Sequence, residues 1–150
     1  MTDNKEIIEG LNDLLEKNYD SEKGFKNAIE DVEDAGLKAF FTGKAQQRYD
    51  FGHEIKAEIK KLGGKPDKGG SMTGTAHRAW MDIKSVLSLN TPEAVLDACE
   101  TGEEAALKDY DEFLKENVVS ADLRNTISSQ RSKIAGTLRS IEILEEQHDD

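Results

Sequence analysis

A bundle of four long helices, with one long crossover between the second and third, is the all-α fold class this sequence predicts. Three observations lead there. The chain of 150 residues holds only two prolines, 34% charged residues and few β-branched runs, a helix-forming composition. Its apolar residues recur at alternating spacings of three and four, the periodicity of a buried helical face. Turn signals then divide it into two pairs of long periodic segments, separated by a glycine-rich stretch. The length suits one domain, 1–150, with a substantial core.

The first helix is expected over about residues 3–33, after Thr2 or Asp3 as N-cap, with the stripe Ile8, Leu11, Leu15, Asn18, Glu22, Phe25, Ile29, Val32. "EDAG" supplies a tight reversal. The second helix, about 37–62, turns Leu37, Phe40, Phe41, Phe51, Ile55, Ile59 and Leu62 inward, and Lys44, Gln47 and Arg48 fall in the same arc. Gly63-Gly64, with Pro66 beyond, ends it. The crossover, 63–91, opens with "GGKPDKGGS" and carries a short helix expected at about 75–89, with Trp80, Ile83 and Leu87 on one edge. "TPE" at 91–93 starts the next helix, about 92–116: Thr91 caps, Pro92 fits the first position and Glu93 favours the positive helix end. The last helix is expected over about 120–147, with the stripe Leu123, Ile127, Gln130, Ile134, Leu138, Ile141.

Charge narrows the function. With 31 acidic against 20 basic residues the net charge is -11, which repels phosphate backbones and anionic membranes. Nucleic acid and membrane are therefore not the expected partners. No apolar run reaches the length of a membrane span, and "MTDNKEIIEG" is polar and acidic where a signal peptide is basic and then apolar. The single Cys99 forms no internal disulfide and suits a reducing compartment. The expected location is cytoplasmic. The partners left open are a second copy of the chain, as a homodimer, or another helical protein.

One layer breaks the apolar pattern. From Leu96 the three-four spacing gives Leu96, Glu100, Glu103, Leu107, Tyr110, Leu114, so two glutamates stand in a core stripe. Glu22, Gln47, Glu103 and Gln130 each fall ~18–21 Å from their own turn at ~1.5 Å per residue, which is near mid-bundle. Glu100 and Asn18 lie one turn away. Positions that violate local patterning are where function or strain is expected.

With this layer, the chain resembles the ferritin/rubrerythrin-like superfamily, in which carboxylates from four helices, two of them in E-x-x-H motifs, hold two metal ions in the bundle core. More closely, it is similar to small bacterial ferritin-like four-helix-bundle proteins of uncharacterised function. "DSEKGF" (20–25), "LGGKP" (62–66), "GS" with "HRAW" (77–80) and "GEEAALKDY" (102–110) carry that likeness. Residue by residue, Glu22 and Glu103 match the single helix carboxylates. Where E-x-x-H would stand, this chain has "QRYD" from Gln47 and "QRSK" from Gln130. Both glutamates of the motif are glutamine and both histidines are missing. That set is poor for a redox di-iron centre, which needs anionic carboxylates and usually imidazole.

Two readings of the layer follow. In one, Glu22, Glu100 and Glu103 ligate a divalent ion (Fe, Mn or Zn), with Gln47 and Gln130 as neutral oxygen donors, for storage, sensing or limited redox chemistry. In the other, the bundle is non-catalytic and the layer is a structural network in which Lys44, Arg48 and Arg131 pair with the carboxylates and Asn18 joins the hydrogen bonding. The degenerate motifs favour the network.

The remaining signals are weaker. His53 points away from the Phe40/Phe51 stripe and reads as solvated, His77 starts the crossover helix, and His148 belongs to an acidic tail. "GGKPDKGGS" lacks the order of a phosphate loop and follows no strand. Trp80, Tyr49 and Tyr110 read as core or interface residues, and Cys99 as a small buried hydrophobe with no histidine placed to activate it.

Overall fold

The computed structural model describes residues 3–67 and 91–148. They form four helices, α1 (Asn4–Asp31), α2 (Ala35–Lys61), α3 (Pro92–Glu116) and α4 (Ala121–His148), and no strand occurs among the described residues. Each start is held by a side-chain cap. Asp3 accepts from the Lys5 N–H, Asp34 from Leu37, Thr91 from Ala94 and Ser120 from Leu123. At the end of α2, Gly63 adopts φ 83°, and the N–H groups of Gly63 and Gly64 donate to the carbonyls of Lys60 and Ile59. This reversal satisfies the last carbonyls of the helix and needs a residue without Cβ strain.

α1 packs along α2, and α3 along α4. α1 also touches α3 and α2 touches α4, so the helices stand at the corners of a square, with α1/α4 and α2/α3 across its diagonals. The α1–α3 approach is close at one point: a Cβ at Gly10 would lie 2.9 Å from the Phe113 ring.

The apolar interior divides in two. One cluster joins the end of α1 (Phe25, Ala28, Val32) to the starts of α2 (Leu37, Phe41) and α3 (Val95, Leu96) and the end of α4 (Ile141). The other joins the start of α1 (Ile7, Leu11, Leu14) to the ends of α2 (Ile55, Ile59) and α3 (Phe113) and the start of α4 (Leu123, Ile127). Burying each large apolar side chain contributes roughly 1.5–3 kcal/mol, so these clusters, rather than any ion pair, carry the stability of the bundle.

α2 therefore ends, and α3 begins, at opposite ends of the bundle. Beyond α2 the chain folds back on α1: Asn12 donates to the Lys65 carbonyl and accepts from the Asp67 N–H, and the Tyr19 hydroxyl donates to the Asp67 carbonyl. The short helix expected at 75–89, with His77 and Trp80, lies outside the described residues.

Candidate functional site

Between the two apolar clusters lies a polar layer, and its centre is an ion pair across the α2/α3 diagonal. The Arg48 guanidinium donates to both carboxylate oxygens of Glu103, each at 2.5 Å. Both side chains have 0% exposure. The rings of Phe25 and Phe51 flank the guanidinium at 5.5 and 5.7 Å, and its Nε donates to Gln47 Oε1 at 3.3 Å. A planar fork matched to a carboxylate and set between aromatic rings is a geometry that arginine holds and lysine does not.

A second chain of hydrogen bonds joins all four helices beside this pair. Asn18 of α1 donates to the Tyr110 hydroxyl of α3 at 2.8 Å, and that hydroxyl donates to Gln130 Oε1 of α4 at 2.6 Å. The Gln130 amide then donates to Glu54 Oε1 at 2.8 Å and to the Phe51 carbonyl at 3.3 Å, both on α2. Asn18 spends its other N–H on the Leu14 carbonyl of its own helix. Every one of these buried polar groups has a partner, as burial requires. Burial pushes the Tyr110 phenol up from its ordinary value, so it stays a neutral donor and acceptor.

The residues singled out in the sequence part company here. Asn18, Arg48, Glu103 and Gln130 are buried and lie within the layer, with Gln47 half-buried at its edge. Lys44 is also at the edge, with its ammonium 5.4 Å from the Phe40 ring; burial, and then the charge of Arg48, lower its pKa.

Glu22, Glu100 and Arg131 lie apart from the layer. Glu22 pairs with Lys26 at 2.7 Å in the groove between α1 and α2. Ser21, one residue earlier, takes the inward position. Arg131 forms a forked pair with Asp111 on the exposed α3/α4 surface, at 2.7 and 3.3 Å. Along α3 the buried line reads Leu96, Cys99, Glu103, Ala106, Tyr110, Phe113, so Cys99, Ala106 and Phe113 stand where the three-four count placed Glu100, Leu107 and Leu114. Such a count cannot distinguish neighbouring positions on the edge of an arc. Size and polarity decided: Cys99 and Ala106 fit between close helices, and a second carboxylate would have gone without a cation. Glu54 escaped notice because it stands on the exposed side of α2 and only its tip reaches Gln130.

Glu100 instead belongs to an acidic groove between the start of α3 and the end of α4, with Glu93, Asp97, Glu142, Glu145 and Glu146. Burial, then hydrogen bonding to Asp97 and Glu100 and their charges, pushes the Glu145 carboxyl up to about 9. Glu145 Oε1 is buried and has no hydrogen-bond partner among the described residues, and the raised pKa of the group favours its protonated form. Cys99 lies wholly buried nearby, and burial, reinforced by Glu103, pushes its thiol up and away from the reactive thiolate.

The described residues contain no group of three or more His, Cys, Asp and Glu side chains that could hold a metal ion, the acidic groove included. In the layer, the inward oxygens are committed: both of Glu103 to Arg48, that of Gln47 to Arg48, and that of Gln130 to Tyr110. No helix among the described residues is long and apolar enough to cross a membrane.

Comparison with solved structures places the fold. The chain is similar to a Bacillus anthracis str. Ames protein whose crystal structure is described as one of "ferritin like, diiron-carboxylate proteins", with a TM-score of 0.68 and 20% identity over 99% of this chain and 100% of that one. The bundle is thus ferritin-like in architecture. No curated protein matches the sequence. A family model described as "Domain of unknown function (DUF2383)" matches residues 6–116, and the chain belongs to that family.

Proposed function

We propose that this protein is a non-catalytic ferritin-like bundle, in which a closed polar network occupies the place a di-metal centre would take. One observation carries the reading: the Arg48 guanidinium fills the middle of the bundle and consumes both oxygens of Glu103. The residues present do not fit two metal ions. A di-iron centre needs several free carboxylates and usually imidazole, whereas this layer offers one buried carboxylate, already neutralised, with the carboxamides of Asn18, Gln47 and Gln130 and a fixed positive charge. Its role is then structural or one of binding, in the cytoplasm. The net charge of -11 opposes nucleic acid as the partner.

The alternative is a divalent-metal protein that stores or senses Fe, Mn or Zn, and it draws on the likeness to the Bacillus anthracis diiron-carboxylate protein. Elemental analysis of untagged protein, purified without chelator from metal-supplemented cells, separates the two. Metal far below one equivalent is expected, with no oxygen uptake on addition of Fe²⁺. Stoichiometric metal that disappears in Glu103→Gln would overturn the reading.

A further inference from the structure

The outer faces of the helices differ in charge. Every exposed residue of α1 beyond Asn4 is charged, as is every exposed residue of α3 from Glu104 to Glu116. The exposed side of α2 between Lys38 and Glu54 is different. It carries Ala39, Thr42, Gly43, Gln46, Tyr49 and His53, and Asp50 is its one carboxylate. For a chain of net charge -11, such a face is where a second copy meets the least repulsion.

The same face holds a plug and a socket. Tyr49 is 48% exposed, and its ring stands edge-on to His53 at 4.5 Å. Beside it, Ile29 of α1 and Thr42, Ala45 and Gln46 of α2 line a groove of about 290 Å³. Roughly 150 Å³ accommodates a benzene-sized ring. Glu22 and Lys26 on the rim neutralise each other at 2.7 Å, and the space over Gly43 is open. The pattern is also self-complementary. Turning α2 end for end about a two-fold axis near Ala45 and Gln46 sets Tyr49 of each copy against Thr42 of the other, at the socket. Lys38 then stands beside the partner's Asp50, because the midpoint of these two positions is Lys44. The two midpoints differ by only ~2 Å along the helix, within the reach of a lysine side chain.

We propose that two copies of this chain associate through their α2 faces, antiparallel about a two-fold axis between Ala45 and Gln46, with Tyr49 of each seated in the α1/α2 groove of the other. Both phenol rings leave water, and the contact closes on itself, so assembly stops at two. The proposal is independent of what occupies the middle of the bundle.

Sedimentation equilibrium of the untagged parent and of surface variants tests it. The parent is expected to show twice the mass of the chain. Tyr49→Ala is expected to raise Kd at least about 30-fold, as the loss of an aromatic anchor does. Lys38→Glu and Asp50→Lys, each alone, set like charges together and weaken the dimer roughly tenfold, whereas combined they restore it to within about threefold of the parent. Gln46→Cys, next to the axis, is expected to give a disulfide-linked dimer on mild oxidation, and Glu104→Cys on the charged side of α3 to give none. All these positions are exposed, so helix content by circular dichroism stays at the parent level.

A parent that remains a monomer at about 1 mM overturns the proposal. Iodination of Tyr49 then assigns the groove. A ring that reacts only after residues 68–90 are replaced by a Gly-Ser linker is covered by the chain's own crossover, and a ring that reacts in the parent leaves the face to a different protein. A dimer indifferent to Tyr49→Ala and to the charge swaps overturns it as well, because the contact then lies on another face.

Discussion

Glu103 and Glu100 stand one turn apart on α3 and meet opposite treatment. Glu103 faces a guanidinium in a dry core and gives it both oxygens. Glu100 opens into a groove lined with five other carboxylates, where no cation stands among the lining residues. Burial in the first place is sustained by a matched counter-charge. Crowding in the second pushes the Glu145 carboxyl up and so favours its protonated form. A carboxylate-rich helix in a bundle is therefore not one site. At 3.6 residues per turn, a change of direction of about 60° around the helix separates a fixed ion pair from a crowded acidic groove.

The largest expected effect lies in the ion pair. Glu103→Leu or Arg48→Met alone is expected to cost about 3–5 kcal/mol, because each leaves a buried charge without its partner. The double variant Arg48→Met/Glu103→Leu is expected to recover most of that loss. Urea unfolding of the four proteins closes the cycle. Additive losses would mean that the two side chains stabilise the core independently. Next is Tyr110→Phe, which leaves the Asn18 amide short of an acceptor and Gln130 Oε1 short of a donor. About 1–3 kcal/mol is expected from the same measurement, and a neutral result would show that water replaces the hydroxyl.

The acidic groove gives a smaller effect of opposite pH character. The Glu145 carboxyl rises from 4.5 to about 9 on folding, so between these values the folded protein holds a proton that the unfolded chain has released. The contribution of Glu145 to stability is therefore fully present below 4.5 and is lost as the pH rises toward about 9. Glu145→Gln is expected to flatten that decline and to raise Tm at neutral and alkaline pH. A decline of unchanged slope would place the proton elsewhere. Smallest is Arg131→Ala, whose forked pair with Asp111 lies on the surface. A loss under about 1 kcal/mol is expected, and it should vanish in high salt.

The all-α bundle was legible in the sequence because its signals are local. A three-four apolar repeat, the Thr91-Pro92 start and the Gly63-Gly64 stop each act within a few residues. That the core holds a polar layer was legible as well, since Glu103, Gln130 and Asn18 interrupt apolar stripes. The membership of the layer was less so. Glu22 and Glu100 sit at the edge of their arcs, where a turn of the helix by part of one residue moves a side chain from core to groove. Only the packing of the neighbouring helix fixes that angle. For α4, whose stripe is narrow, every counted residue from Leu123 to Ile141 is buried, and Thr137 joins them. The link from Tyr110 to Gln130 and on to Glu54 was invisible, because it joins residues on three helices far apart in sequence.

The central claim is that arginine, and not a metal, neutralises Glu103 in the middle of the bundle. Anomalous diffraction at the iron edge, from crystals grown and soaked anaerobically with Fe²⁺, tests it directly. The account predicts no anomalous peak near Glu103, with both Arg48 terminal nitrogens on the carboxylate. A peak within bonding distance of Glu103, with Arg48 swung aside, would contradict it.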